Sequence, residues 1–235
     1  LATPEATKRI AEHGEALGFS ICAIADHIVI PRKFRPVYPY SESGETDAFV
    51  GGDALEPLAL MAALASMTSK VRLLTSVMVL PYRGPILTAK ILATIDVLSK
   101  GRLDVGCGIG WMREEFVATG APPFEERGAV SDEYIRAFKE LWTSDNPTFE
   151  GKYCRFSNID FLPKTVQQPH PPIYIAATRT RATQEYLVST GHPLIIGVVL
   201  DTPDALELCH RFVGMSKEAG HNVPMSRIPF FRYFY

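Results

Sequence analysis

Short apolar runs alternate with helical segments along all 235 residues, and that alternation narrows the fold more than any single motif does. The pattern predicts a helix over 4–17, with Thr3 able to cap it, Pro4 suited to its first turn and Gly18 to its end. Ile10, His13, Ala16 and Leu17 fall on one stripe of that helix. The continuous apolar run over 19–25 reads as a strand covered on both faces, ending at Asp26 and His27. Helices over 56–67 and 85–98 flank a strand over 71–79, and Gly101 leads into the next strand, which ends in a glycine-rich turn. A short helix runs through Phe116, a longer one spans 125–142, and residues 146–162 have the character of a hairpin insertion. Strands over 173–176, 194–199 and 228–235 and helices over 183–189 and 203–219, the last capped by Thr202, complete the series.

Strict alternation with buried strands predicts a parallel sheet. Polar or glycine-rich positions follow several strand ends: Asp26-His27, Arg83-Gly84, 106–111 and Thr178-Arg179. A doubly wound sheet gathers such groups at its switch point, whereas a β/α barrel aims every strand's C-terminal end at one site. The expected fold is therefore α/β, a (β/α)8 barrel forming a single domain over 1–235. The chain offers fewer than eight strands, starts in a helix and stops in a strand, so the first and last strands are expected to lie outside it. The long Pro-, Tyr- and Ser-containing stretch 28–53 is of a length usually found in lids and binding loops.

The segment Leu103-Asp-Val-Gly-Cys-Gly-Ile-Gly-Trp111 leaves three readings open. Gly106, Gly108 and Gly110 lack a Cβ and could let backbone N–H groups approach a ligand, with Trp111 as a flat wall. The spacing is not the G-x-G-x-x-G of a dinucleotide site, but the string resembles the glycine loop of methyltransferases. It could equally be a structural turn.

Composition excludes some classes. A formal charge of −2 leaves no basic footprint for nucleic acid, and no apolar run is long enough to span a membrane. Cys22, Cys107, Cys154 and Cys209 are far apart with no C-x-x-C, which favours reduced thiols in a cytoplasm over a disulfide frame or zinc site. His13, His170, His192, His210 and His221 show no metal-ligand spacing, so no metal is expected.

Several separated motifs together make the chain resemble the bacterial luciferase-like family of flavin-dependent oxidoreductases. They are Ala25-Asp26-His27 with Val29-Ile30-Pro31, Tyr38-Pro39-Tyr40-Ser41, Thr75-Ser76-Val77, the run from Ala93 to Arg102, and Gly106 to Trp111 followed by Arg113-Glu114-Glu115. The resemblance implies a β/α barrel that holds a reduced flavin, FMN or the deazaflavin coenzyme factor-420, at its C-terminal mouth. It places Asp26 and His27 beside the ring and makes Ser76-Val77 a non-prolyl cis peptide against it. Gly108, Ile109, Gly110 and Trp111 would line the cofactor, and Ala177, Thr178 and Arg179 would hold its phosphate at the start of the following helix. The Tyr-Pro-Tyr-Ser segment most resembles the deazaflavin branch. However, Ala176-Ala177-Thr178-Arg179 stands where deazaflavin users often carry Ala-Ala-Gly-Gly, and its hydroxyl and guanidinium suit an FMN phosphate. The cofactor stays undecided between the two.

The resemblance also implies oxygenation of a small organic substrate with reduced flavin, or hydride transfer with the reduced deazaflavin. It further implies a separate flavin reductase as a partner, a homodimer and a cytoplasmic location. His27 would move the proton, with Asp26 orienting it, and the stretch 28–53 would cover the site. Glu114, Glu115 and Arg127 read as helix-surface or structural ion pairs, and Phe138 and Trp142 as core. An S-adenosylmethionine-dependent methyltransferase and a non-catalytic flavin-binding relative are the rival functions.

Overall fold

The computed structural model describes residues 3–32, 54–176, 181–196 and 202–229. In chain order the elements are α1 (Pro4–Ala16), β1 (Ile21–Ile24), α2 (Pro57–Met67), β2 (Arg72–Thr75), β3 (Met78–Val79), α3 (Pro85–Leu98), β4 (Leu103–Gly108), α4 (Arg113–Thr119) and α5 (Arg127–Thr143). There follow β5 (Phe149–Glu150), β6 (Arg155–Phe156), β7 (Ile173–Ala176), α6 (Arg181–Thr190), β8 (Leu194–Ile195) and α7 (Thr202–Glu218). Strands β1, β2, β4, β7 and β8 lie side by side in that order, all parallel, and β3 continues the line of β2 along β4. Neighbours in space follow chain order with no reversal, as in a barrel and not in a doubly wound sheet. The described part is thus the curled parallel sheet of a TIM-type β/α barrel.

Helix α3 starts and ends where its sequence predicts, because Pro85 suits the first turn and the apolar pattern stops at Leu98. The insertion is a short antiparallel hairpin, β5 with β6. The Glu133 carboxylate of α5 organises its turn by accepting from the N–H groups of Lys152, Tyr153 and Cys154. Helix α7 begins at Thr202, one residue before the predicted start at Pro203. Of the two last predicted strands, 197–199 and 230–235 lie outside the described residues. Ile196 N–H nevertheless donates to Pro229 O at 3.1 Å, which puts the start of the final segment beside β8.

Two expectations about burial are overturned. Strands β2 and β4 are buried along nearly their whole length, but in β1 Ile24 is buried and Ala23 exposed. Among the described residues β1 pairs with β2 alone, so it is covered less than an interior strand. The stripe of Ile10, His13, Ala16 and Leu17 on α1 is exposed, and the buried residue is Ala11. The Glu15 carboxylate explains the rotation: it accepts from the N–H groups of Ser69, Lys70 and Val71 in the turn before β2. These bonds, Val71 and Lys70 foremost, hold Glu15 down at about 2, and with this anchor in place Ala11 is the buried residue of α1.

Polar ties under the strands fix the N-terminal end of the barrel. The Arg72 guanidinium of β2 makes a two-pronged bond to Asp104 of β4 at 2.7 Å and also donates to Gln167. Gln167 is in turn held by Asp96 of α3. Arg102 donates to the carbonyls of Ala65, Thr68 and Val71, satisfying the end of α2, where backbone acceptors run out of helical partners. This gives the Gly101-Arg102 motif a structural role.

Beside this end, between α6 and β8, the His192 ring is buried and neither nitrogen has a hydrogen-bond partner among the described residues. Burial, with Lys139 and His170 nearby, pushes it down to about 4. The unfolded chain binds this proton near pH 6.5 and the folded one near 4, so its contribution to stability is full above 6.5 and is lost as pH falls towards 4. Urea unfolding from pH 7 to pH 4 should show this loss, and His192→Leu should flatten that part of the profile.

Candidate active site

Strands β2 and β3 are one line interrupted at Ser76 and Val77. Leu73 and Leu74 pair with Leu103 and Asp104, whereas Met78 and Val79 pair with Cys107 and Gly108. Four steps from Leu74 to Met78 therefore pass three steps on β4, which defines a β-bulge. The Ser76–Val77 peptide within it is cis. The Thr75 hydroxyl splices the gap, donating to Gly106 O at 2.7 Å and accepting from Gly106 N–H at 2.8 Å.

The bulge accounts for the alternating glycines. A Cβ at Gly106 would stand 1.9 Å from Thr75 O, and one at Gly108 would stand 2.5 Å from Val77 Cγ2. At Gly110, whose φ is +79°, it would meet Val79 Cγ1 at 2.7 Å and Phe116 Cε2 at 2.8 Å. Residues 75, 77 and 79 thus occupy the side from which the glycines withdraw. On this side the missing Cβ atoms make room for the neighbouring strand, as the reading of a structural turn expects.

The bulge, the turn after β4 and the exit of β1 meet at the C-terminal edge of the sheet. His27, just beyond β1, lies edge-on to Trp111, with ring centroids 6.4 Å apart and planes at 79°. Trp111 is half-buried and Ile109 is exposed. So four predicted groups share one edge: Asp26-His27, Ser76-Val77, the turn 108–111 and the residues after β3. Ala177, Thr178 and Arg179 lie outside the described residues, as do Tyr38 to Ser41 and most of the stretch 28–53.

Asp26 does not orient His27. Its carboxylate is buried and accepts from Val79 N–H at 2.8 Å and from both Arg83 terminal nitrogens at 2.7 and 2.9 Å. Arg83 reaches on to Glu56, which caps α2 by accepting from Ala59 N–H. Burial works against the Arg83 charge, but Asp26 and Glu56 outweigh it and keep the guanidinium protonated. The partner of His27 is Glu115, so of the two roles its sequence suggests, helix surface or ion pair, the structure shows the ion pair. Its side chain is fully buried. Oε2 lies 2.7 Å from His27 Nδ1 and accepts from the Tyr82 hydroxyl at 2.9 Å. Oε1 accepts from the N–H groups of Ile28 at 2.7 Å and Val29 at 3.3 Å. Burial alone would raise its pKa, but the His27 ring, the Ile28 N–H and the Tyr82 hydroxyl hold the carboxyl below the ordinary carboxylate range. Burial first, then the adjacent Glu115 charge, pushes the Tyr82 phenol up, so it stays a donor.

A signal for Glu115 was present in the sequence. Met112, Glu115, Phe116 and Thr119 fall at i, i+3, i+4 and i+7, so the acid sits inside the inward stripe of α4, between two buried apolar residues. Among the described residues no group of three His, Cys, Asp or Glu side chains could hold a metal ion.

Comparison with known proteins places this arrangement. Residues 2–234 match the luciferase-like monooxygenase family. An uncharacterised protein of Mycobacterium tuberculosis is 34% identical over 193 residues, covering 80% of this chain and 65% of its own length. The FMNH(2)-dependent dimethylsulfone monooxygenase of Pseudomonas putida is 37% identical over 139 residues, covering 58% of this chain and 38% of its own length. Among solved structures, a monooxygenase from Streptomyces bottropensis superposes with a TM-score of 0.75 at 28% identity, over 94% of this chain and 61% of its own length. A factor-420-dependent secondary alcohol dehydrogenase shares the fold, with a TM-score of 0.72 at 23% identity, over 96% of this chain and 63% of its own length. The chain therefore spans less than two thirds of the length of these relatives. None of these comparisons supports the methyltransferase alternative. With its barrel arc, its interrupted strand and its match from residue 2 to residue 234, the chain belongs to the luciferase-like monooxygenase family.

Proposed function

We propose that the protein of which this chain forms part or all is a monooxygenase that uses reduced FMN and oxygen on a small organic substrate. The observation that carries the reading is the meeting of His27, the Ser76–Val77 bulge and Trp111 at one edge of the sheet, where Ile109 is exposed. The exposed Ile109 and half-buried Trp111 suit the flat apolar part of a tricyclic ring, and the described residues fit that half of the cofactor. Its phosphate is assigned to Ala177, Thr178 and Arg179, ahead of α6. Bound reduced FMN would supply the electrons that activate oxygen. His27 would hold or deliver a proton from its ring, Trp111 and Ile109 would exclude water, and Glu115 would stabilise the ring's orientation. Asp26 ties the exit of β1 to Arg83 and acts on the site through the backbone.

Hydride transfer with the reduced deazaflavin is the second reading, favoured by the Tyr38-Pro39-Tyr40-Ser41 segment and by fold relatives of that kind. A separate flavin reductase would serve the first reading, and a homodimer in the cytoplasm suits both. No described helix is long and apolar enough to cross a membrane.

The test is reconstitution of the purified protein with FMN and with the deazaflavin, followed by aerobic and anaerobic turnover with each reduced form. His27→Ala is expected to bind the chosen cofactor within a few-fold of the parent and to lower turnover by roughly 10²-fold or more. Inactivity of the parent with both cofactors would end the oxidoreductase reading.

A further inference from the structure

We infer that Glu115 is a positioning residue that sets which nitrogen of His27 carries the proton. The inference rests on the reading in which His27 handles a proton at this site, and it extends that reading to a residue on another strand–helix unit.

The four groups around Glu115 leave little choice of protonation. Two backbone N–H groups, Ile28 and Val29, point at Oε1, and neither can accept. The Tyr82 hydroxyl and His27 Nδ1 lie at Oε2. Those two fixed donors, with the surrounding groups, hold the buried carboxyl below the ordinary carboxylate range, so it is ionised, and an ionised carboxylate is an acceptor only. His27 Nδ1 must then be the donor, so in the neutral ring the lone pair sits on Nε2. A salt bridge formed only for stability would need a cation and no particular ring orientation. Here the same carboxylate grips both the imidazole and the two main-chain amides that follow it, so ring and backbone are set together.

The backbone donors also decide what an amide would do at this position. In Glu115→Gln, Ile28 and Val29 N–H require the amide oxygen at the Oε1 site. The NH2 group then falls at the Oε2 site and donates towards His27 Nδ1. That substitution should invert the tautomer, placing the proton on Nε2, with almost no change of shape.

The experiment is a long-range proton–nitrogen NMR spectrum of the whole protein labelled with 15N-histidine, recorded above the titration range of the ring. His27 is assigned by the signal lost in His27→Ala. The parent protein should show the Nδ1–H form and Glu115→Gln the Nε2–H form. Turnover of Glu115→Gln with whichever reduced cofactor the protein binds should fall about 10²-fold, with cofactor affinity unchanged. Tyr82→Phe keeps the carboxylate and should keep the Nδ1–H form, so it serves if Glu115→Gln does not fold. An Nε2–H ring in the parent or in Tyr82→Phe, or an unchanged ring in a folded Glu115→Gln, overturns the inference. If the tautomer inverts as expected while His27→Ala turns over like the parent, Glu115's control of the ring stands and the proton role of His27 is what fails.

Discussion

Gly106→Ala is expected to remove about 3 kcal/mol or more of stability, at or beyond the upper end of what overpacking usually costs. The added Cβ would lie 1.9 Å from Thr75 O and 3.1 Å from Thr75 C, atoms of a backbone that cannot swing aside. Thr75 exchanges two hydrogen bonds with Gly106 through its hydroxyl, and β2 is held on its other side by β1. Against a typical total of 5–15 kcal/mol this is a large fraction. Gly108→Ala should cost less, about 1–3 kcal/mol, because its clash is with the Val77 side chain. Gly128, inside α5, has nothing within 4 Å of its missing Cβ, so Gly128→Ala should stabilise by about 0.5–1 kcal/mol. Urea unfolding of the three variants checks the order. Equal stability of Gly106→Ala and parent would mean that the bulge does not press on β4.

Arg83→Met is the second large effect, with an expected loss of about 3–5 kcal/mol. The Asp26 carboxylate has no exposed side-chain surface and would keep one backbone donor, Val79 N–H, after losing both guanidinium bonds. Most of the cost is the charge left behind in a dry place, not the worth of the pair itself. Adding Asp26→Asn to Arg83→Met should therefore recover part of the loss. A double variant no better than the single one would argue that Arg83 acts by its packing. Both comparisons need only unfolding midpoints, so they are independent of any cofactor.

These two predictions mark where the sequence could be read and where it could not. The helix 85–98 and the strand 173–176 were legible because proline, apolar period and β-branched residues agree locally. The barrel was legible because the alternation is repeated. The cis peptide at Ser76–Val77 was legible only through the family resemblance: within 71–79 nothing but Arg72, Thr75 and Ser76 departs from an apolar strand, and the extra residue appears only when the segment is laid against β4, some 30 positions later. The three readings of the glycines stayed open for the same reason: what fills the space beside them comes from the preceding strand. Asp26 and His27 lie at the mouth but do not pair with each other, because adjacency in a chain leaving a strand sends successive side chains to opposite sides. Their true partners, Arg83 and Glu115, are 57 and 88 residues away. Helical phase would have flagged Glu115, whereas nothing local marks Tyr82 as its second donor.

The polar ties beneath the strands, through Arg72, Asp104, Gln167, Asp96 and Arg102, share no residue with those at the mouth, through Asp26, Arg83, Glu115 and Tyr82. Selection can therefore rework one end without taxing the other. A lineage built on this chassis is free to exchange its reactants by editing the mouth, while the lower end keeps the scaffold assembled through each trial.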